Sequence, residues 1–167
     1  MVDTSPGEST VKIVIDSREQ SPYGFQDVKY KDTTVESGTL TTGDYSLVGF
    51  TDAVGIERKS LDDMAGTLTT GRERFERELE RSRGMDFFAI VIEADLSHVA
   101  RHCYRSKMAP TAFIQSLFSY QVRFGCHVVW AGCRERGEYA THSLLQKYLA
   151  CQEKKQAALE AQLGLKS

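Results

Sequence analysis

The stretch Gly43 to Asp63, GDYSLVGFTDAVGIERKSLDD, decides how the rest of the chain is read. Gly43-Asp44-Tyr45 opens one arm, Gly49 to Asp52 supplies a turn, and Val54 to Lys59 returns, so the stretch reads as a β-hairpin. On the returning arm Glu57 and Lys59 share a face by the period of two, and Arg58 points the other way. An acid near one strand, followed on the next by acid-x-lysine, suits metal-dependent phosphodiester cleavage. Carboxylates hold a hard divalent cation through oxygen, and the lysine acts on the attacking water or the charged phosphate.

Immediately upstream, the β-branched run Val11 to Ile15 (VKIVI) predicts a buried strand that delivers Asp16 at its end, with Arg18 and Glu19 just beyond. By itself Asp16-x-x-Glu19 reads as a turn acid and a solvated glutamate. Beside the hairpin, Asp16, Glu19, Asp44 and Glu57 read as one cluster at the place where strand ends meet. Four carboxylates gathered without a cation repel and raise one another's pKa, so a divalent metal is the economical explanation. Gln20 to Phe25 is a loop with Tyr23 and Phe25 as packing anchors, and Lys29 to Leu40 a modest strand interrupted at Ser37-Gly38.

Downstream, Ser60 reads as an N-cap with Asp62 and Asp63 in the first helical turn, which gives Asp63 a structural, supporting role. Leu61 to Leu68 is a short helix, Thr69 to Gly71 a break, and Arg72 to Arg83 a second helix with Phe75 and Leu79 inward. Its outer face offers the i,i+4 pairs Glu73–Arg77 and Arg74–Glu78, either a solvated salt-bridged face or a phosphate-binding ridge. Arg72, at the helix start, stands outside that pairing. Phe87 to Ile92 (FFAIVI) predicts a central strand ending at Glu93. Ala94 to Ala109 reads as irregular, and its Arg101, Arg105 and Lys107 serve either as a nucleic-acid contact or as solubilising surface. Pro110 to Phe124 is a helix stopped by Gly125, His127 to Trp130 a strand, and Arg134 to about Ala158 a helix packed through Ala140, Leu144, Leu145, Tyr148 and Leu149. The fold class is therefore α/β, a mixed central sheet flanked by helices in a single domain.

Composition narrows the function classes. The 167 residues are 41% hydrophobic and 26% charged, enough for one self-sufficient core. With 21 Lys and Arg against 23 Asp and Glu, the net charge of −2 lends no support to a generally basic nucleic-acid binder, and any polyanion site is local. Cys103, Cys126, Cys133 and Cys151 show no CxxC spacing and read as reduced thiols. A zinc site drawn from His98, His102 and Cys103 lacks a second close ligand pair. No apolar run approaches the roughly 20 residues of a membrane span; reduced thiols and the lack of a secretory apolar stretch at the start make the expected location cytoplasmic.

These motifs resemble the XPF-type structure-specific endonucleases, a branch of the restriction-endonuclease-like PD-(D/E)XK nucleases. The resemblance rests on Gly43-Asp44, Glu57-Arg58-Lys59 and Asp63, extended by Asp16-Ser-Arg-Glu19, by Gly66 to Arg72 (GTLTTGR) and by the run ending at Glu93. It covers roughly Val11 to Leu149, dividing the chain into a tail over 1–10, a nuclease domain over 11–150 and a helical tail over 151–167. It implies a restriction-endonuclease-like fold and hydrolysis of DNA, branched or duplex, in repair or recombination. A non-catalytic module binding junctions or a partner protein is the alternative. It further implies that Asp44 and Glu57 bind Mg²⁺ or Mn²⁺ with Asp16 and Glu19 nearby. Lys59 serves the water or the transition-state charge, with Arg58 and Asp63 in support. Arg18, Arg72, Arg105 and Lys107 are the expected DNA contacts. No helix-hairpin-helix module follows the motifs, so the expectation is a stand-alone nuclease of prokaryotic or phage type, with the last helix available for a homodimer or a larger partner.

Overall fold

The computed structural model describes residues 9–164, so most of the expected N-terminal tail and the last three residues lie outside the described residues. Six strands form one sheet: β1 (Val11–Asp16), β2 (Thr33–Gly38), β3 (Tyr45–Leu47), β4 (Val54–Lys59), β5 (Phe87–Ile92) and β6 (His127–Trp130). Their spatial order is β2-β1-β3-β4-β5-β6. The β1–β3 and β3–β4 pairs are antiparallel, whereas β1–β2, β4–β5 and β5–β6 are parallel, which makes the sheet mixed as expected.

The hairpin forms, but its ladder is short. Tyr45 pairs with Ile56, and the Asp44 amide donates to the Ile56 carbonyl at 2.8 Å. Ser37 and Gly38 do not interrupt β2. They continue its parallel register against Ile15 and Asp16, because Gly38 carries no side chain where a Cβ would crowd Val14.

Helices cover both faces. On one side α1 (Leu61–Leu68), α2 (Arg72–Ser82), α3 (Leu96–Ala100) and α4 (Pro110–Phe124) bury Met64, Phe75, Leu79, Phe113, Leu117 and Tyr120 against Phe88, Ile90 and Ile92. On the other side α5 (Arg134–Gln162) brings Leu145 over Ile13, Tyr45, Ile56, Ala89 and Val91. The alternation along β5 thus feeds two cores, which is why FFAIVI is apolar at every position. Ser60 caps α1 by accepting from the Asp63 amide at 3.1 Å, Pro110 begins α4, and Gly125 ends it at φ +69°.

One reading changes. The segment 94–109 is not wholly irregular, since Asp95 and His98 form a capping box that starts α3. The residues 151–162 of the expected helical tail lie within α5. No helix among the described residues is long and apolar enough to cross a membrane.

Candidate active site

The site is assembled by three elements: the end of β1, the β3–β4 hairpin and α2. Asp44 precedes β3 because Gly43 adopts φ +83° and lies over β4, where a Cβ would stand 3.1 Å from the Ile56 carbonyl oxygen. The Arg58 amide donates to Asp44 Oδ2 at 2.8 Å, which ties the acid to the neighbouring strand. Glu57 follows in β4 with its side chain buried, and Lys59 Nζ lies 2.8 Å from Glu57 Oε1. Lys59 also rests over the Phe75 ring of α2, with Nζ 5.1 Å from the ring centre.

The charge states follow from this crowding. Burial first, then the Glu19 and Glu78 charges, push the Asp44 carboxyl up to about 6 against the pull of the Arg58 amide and Lys59. Glu57 is raised well above the ordinary glutamate range by burial and then by Asp44. Burial works against the charge on Lys59, but Glu57, Asp44 and Glu78 outweigh it and raise the ammonium pKa.

The other acids are held differently. Asp16 accepts from the Arg18 side chain at 2.8 and 2.9 Å, and from the Arg18 and Leu40 amides, each at 2.8 Å. The Arg18 side-chain hydrogen bond leads the causes that bring Asp16 down to about 2. Glu19 receives the Arg58 guanidinium through two 3.1 Å bonds, and Arg58 Nη1 also donates to Glu93 at 3.0 Å. Tyr23 completes this knot through its hydroxyl on Glu93 at 2.9 Å, passing Gly137 of α5, where any Cβ would collide with it. Asp63 accepts from the Ser60 hydroxyl at 2.7 Å at the start of α1.

Around these groups runs a polar groove. One part, about 570 Å³, is lined by Glu19, Asp44, Glu57, Lys59, Asp63 and Arg74 among others. An adjoining part, about 560 Å³, reaches Thr41, Arg77, Glu78 and Arg81. Of the arginines and lysine expected to contact DNA, Arg18 lines both parts, and Arg72, Arg105 and Lys107 line neither. Arg72 donates instead to the Leu68 carbonyl at 3.0 Å and to Ser116 at 2.9 Å. Arg105 is held by Asp62, a groove residue, at 3.0 Å, and Lys107 is exposed. His98 accepts from the Asp95 amide, and His102 stacks on Tyr104.

Reasoning from sequence passed over Glu78. Its Oε1 accepts from the Gly43 amide at 3.0 Å, so it does not form the i,i+4 pair with Arg74. The stripe Arg74, Glu78, Arg81 at i, i+4, i+7 was the available signal, but tertiary contacts decide which way each charge turns.

The ERCC4 domain model matches residues 15–140, three quarters of the chain. The chain belongs to the ERCC4 domain family. Among solved structures, XPF from Aeropyrum pernix matches this ERCC4 domain at TM-score 0.66 and 19% identity, over 90% of this chain and 73% of that one. XPF from Aeropyrum pernix in complex with DNA matches at TM-score 0.57 and 21% identity, over 87% of this chain and 66% of that one. No curated protein matches the sequence. At these identities the structural likeness concerns the fold, and the ERCC4 domain here has the XPF-type nuclease fold that the hairpin motif announces.

Proposed function

We propose that this ERCC4 domain is a divalent-metal-dependent DNA endonuclease acting on branched or structured DNA in repair or recombination. The observation that carries the reading is the convergence of Asp44, Glu57 and Lys59 on one groove, with both carboxyls raised and the lysine 2.8 Å from Glu57.

The donor set fits Mg²⁺ or Mn²⁺. Among the described residues no three His, Cys, Asp or Glu side chains form a ready-made cage. Mg²⁺ needs none, since it binds through one or two carboxylates and keeps waters and substrate phosphates as its other ligands. Two adjacent acids whose ionisation is opposed by burial and by each other are the groups a cation relieves. When bound, the cation supplies Lewis acidity and a more acidic water.

The protein's own residues then divide the work. Asp44 and Glu57 would hold the metal. Lys59 stays protonated and places a positive charge beside the phosphate, where negative charge grows in the transition state. The Arg58 amide fixes Asp44, and its guanidinium, locked by Glu19 and Glu93, braces the end of β4. Asp16 holds Arg18 with the guanidinium at the groove and largely exposed, ready for a DNA phosphate. One XPF neighbour is a complex with DNA, which supports DNA as the substrate.

The test compares the parent with Asp44→Ala on forked, flapped and linear DNA in Mg²⁺ and Mn²⁺. The parent nicks at least one substrate and the variant does not. Equal nicking by both, or none by the parent on any substrate, sinks the reading.

A further inference from the structure

The outer face of α2 carries both ion pairs and arginines without an acidic partner. The acids of this helix do not pair with Arg74, Arg77 or Arg81. Glu76 faces Arg123 at 3.2 Å and Arg72 at 3.7 Å, Glu78 turns to the Gly43 amide, and Glu80 faces Arg83 at 3.2 Å. Arg74, Arg77 and Arg81 are exposed, and none makes an ion pair among the described residues. All three line the adjoining part of the groove, which Asp44, Glu57 and Lys59 line too, and Arg74 lines the first part as well. Their spacing of i, i+3, i+7 puts them on one stripe that spans about 10 Å at a rise of about 1.5 Å per residue.

In a chain of net charge −2 with an acidic groove floor, three unpaired guanidinium groups along one wall demand an explanation. The i,i+4 acid of Arg74, Glu78, is engaged with Gly43, that of Arg77, Glu73, makes no ion pair among the described residues, and Arg81 has no acid at that spacing. A polyanion supplies the missing partner. Arginine's planar fork suits phosphate oxygens, and a stripe of charges along a groove suits a strand backbone better than a single small anion.

We propose that Arg74, Arg77 and Arg81 form a track for the phosphodiester backbone of a DNA strand, leading it along α2 across Asp44, Glu57 and Lys59. The proposal rests on the nuclease reading for the identity of the polyanion, but the track acts in binding and not in bond cleavage. The contacts are to phosphate, so they set the strand's path and carry no sequence preference.

Binding of labelled single-stranded and forked DNA by the full chain tests this, measured across salt concentrations in EDTA and again in Ca²⁺. The variants are Arg74→Gln/Arg77→Gln/Arg81→Gln and a control, Lys147→Gln/Lys154→Gln/Lys155→Gln, on α5. Each phosphate contact adds about 0.7 to the slope of log affinity against log salt for single strands and about 0.9 for duplex. The arginine variant is therefore expected to lose about 2 to 3 from that slope and at least tenfold in affinity at low salt. The control keeps the parent slope, and the melting temperature of the arginine variant stays close to the parent's because the three side chains are exposed. An unchanged slope in the arginine variant, an equal loss in the lysine control, or no salt-dependent binding by the parent in either buffer overturns the track. Arginine-dependent binding without cleavage in any metal keeps the track and removes the nuclease; cleavage with an unchanged slope does the reverse.

Discussion

Glu78 Oε1 accepts the Gly43 amide hydrogen at 3.0 Å, so a helix residue holds the turn that aims Asp44. The contact joins the α2 wall of the groove to its acidic floor. Glu78→Gln keeps a carbonyl acceptor and loses the charge, whereas Glu78→Ala loses both. If Glu78 works by holding Gly43, the Gln variant retains most activity and the Ala variant falls in kcat more than in KM. The Ala variant also loses about 1–2 kcal/mol of stability, the cost of an amide left without its partner. Kinetics with Mn²⁺ titration and thermal melting read both effects. Equal loss in the two variants would assign Glu78 to the electrostatics of the site instead.

Lys59 and Glu57 form a buried pair whose two halves are not equivalent. Removing one partner of such a pair costs about 3–5 kcal/mol when the other stays ionised. Glu57 already resists ionisation through burial and its neighbour Asp44, so in Lys59→Met it takes up a proton and escapes most of that penalty. The expected stability loss is about 1–2 kcal/mol, of hydrogen-bond size, and Glu57→Gln added to Lys59→Met brings no further loss. Cleavage falls by about a hundredfold or more in either variant, in line with removal of a charge-stabilising donor. Cleavage by Lys59→Met at the parent rate would remove the lysine from the chemistry.

Metal and proton compete for Asp44. Its carboxyl is raised from 3.8 to about 6, so between those values the folded state binds the proton that the unfolded state has lost. Stability from this group is therefore complete below about pH 4 and declines as the pH rises through about 6. The gap corresponds to at most about 3 kcal/mol, shared with Glu57 because the two titrate together. Asp44→Asn removes that decline. In EDTA, the parent-minus-variant difference in unfolding free energy should fall across this window, and saturating Mg²⁺ should flatten it by favouring the ionised pair. A difference independent of pH in EDTA would mean that Asp44 is not buried against its neighbours in solution.

The hairpin was legible because its chemistry is local. Gly43, Asp44, Glu57 and Lys59 are related by strand period and turn residues, and the folded pairing Tyr45 to Ile56 keeps that relation. Apolar patterning also gave α1, α2, α4, β5 and β6 their places: the helices and β5 bury the apolar residues that their sequences present, and β6 half-buries its own. The direction of long charged side chains was not legible. Glu73–Arg77 and Arg74–Glu78 satisfy the helical rule, yet Glu78 bonds to a residue 35 positions away and Glu76 to one 47 away. Exposed i,i+4 pairs are worth only about 0.3–0.5 kcal/mol, so a buried amide or a second guanidinium outcompetes them. The Ser37-Gly38 break failed for a related reason: a glycine that weakens an isolated strand fits an edge position packed against Val14.

Arg72 shows the same competition from the other side and yields the last prediction. Its motif position beside Gly71 invites a DNA contact, but its guanidinium bonds the Leu68 carbonyl that ends α1 and Ser116 of α4, with its carbon 5.8 Å from the centre of the Tyr120 ring. It thereby joins three helices, and a lysine cannot replace the planar fork that reaches two acceptors while lying on an aromatic face. Arg72→Lys should cost about 1 kcal/mol and Arg72→Ala about 2 kcal/mol of unfolding free energy, read by urea denaturation. Both variants should leave the salt slope of DNA binding at the parent value, unlike the Arg74, Arg77 and Arg81 substitutions. A reduced slope at parental stability would show that Arg72 leaves α4 to meet the DNA.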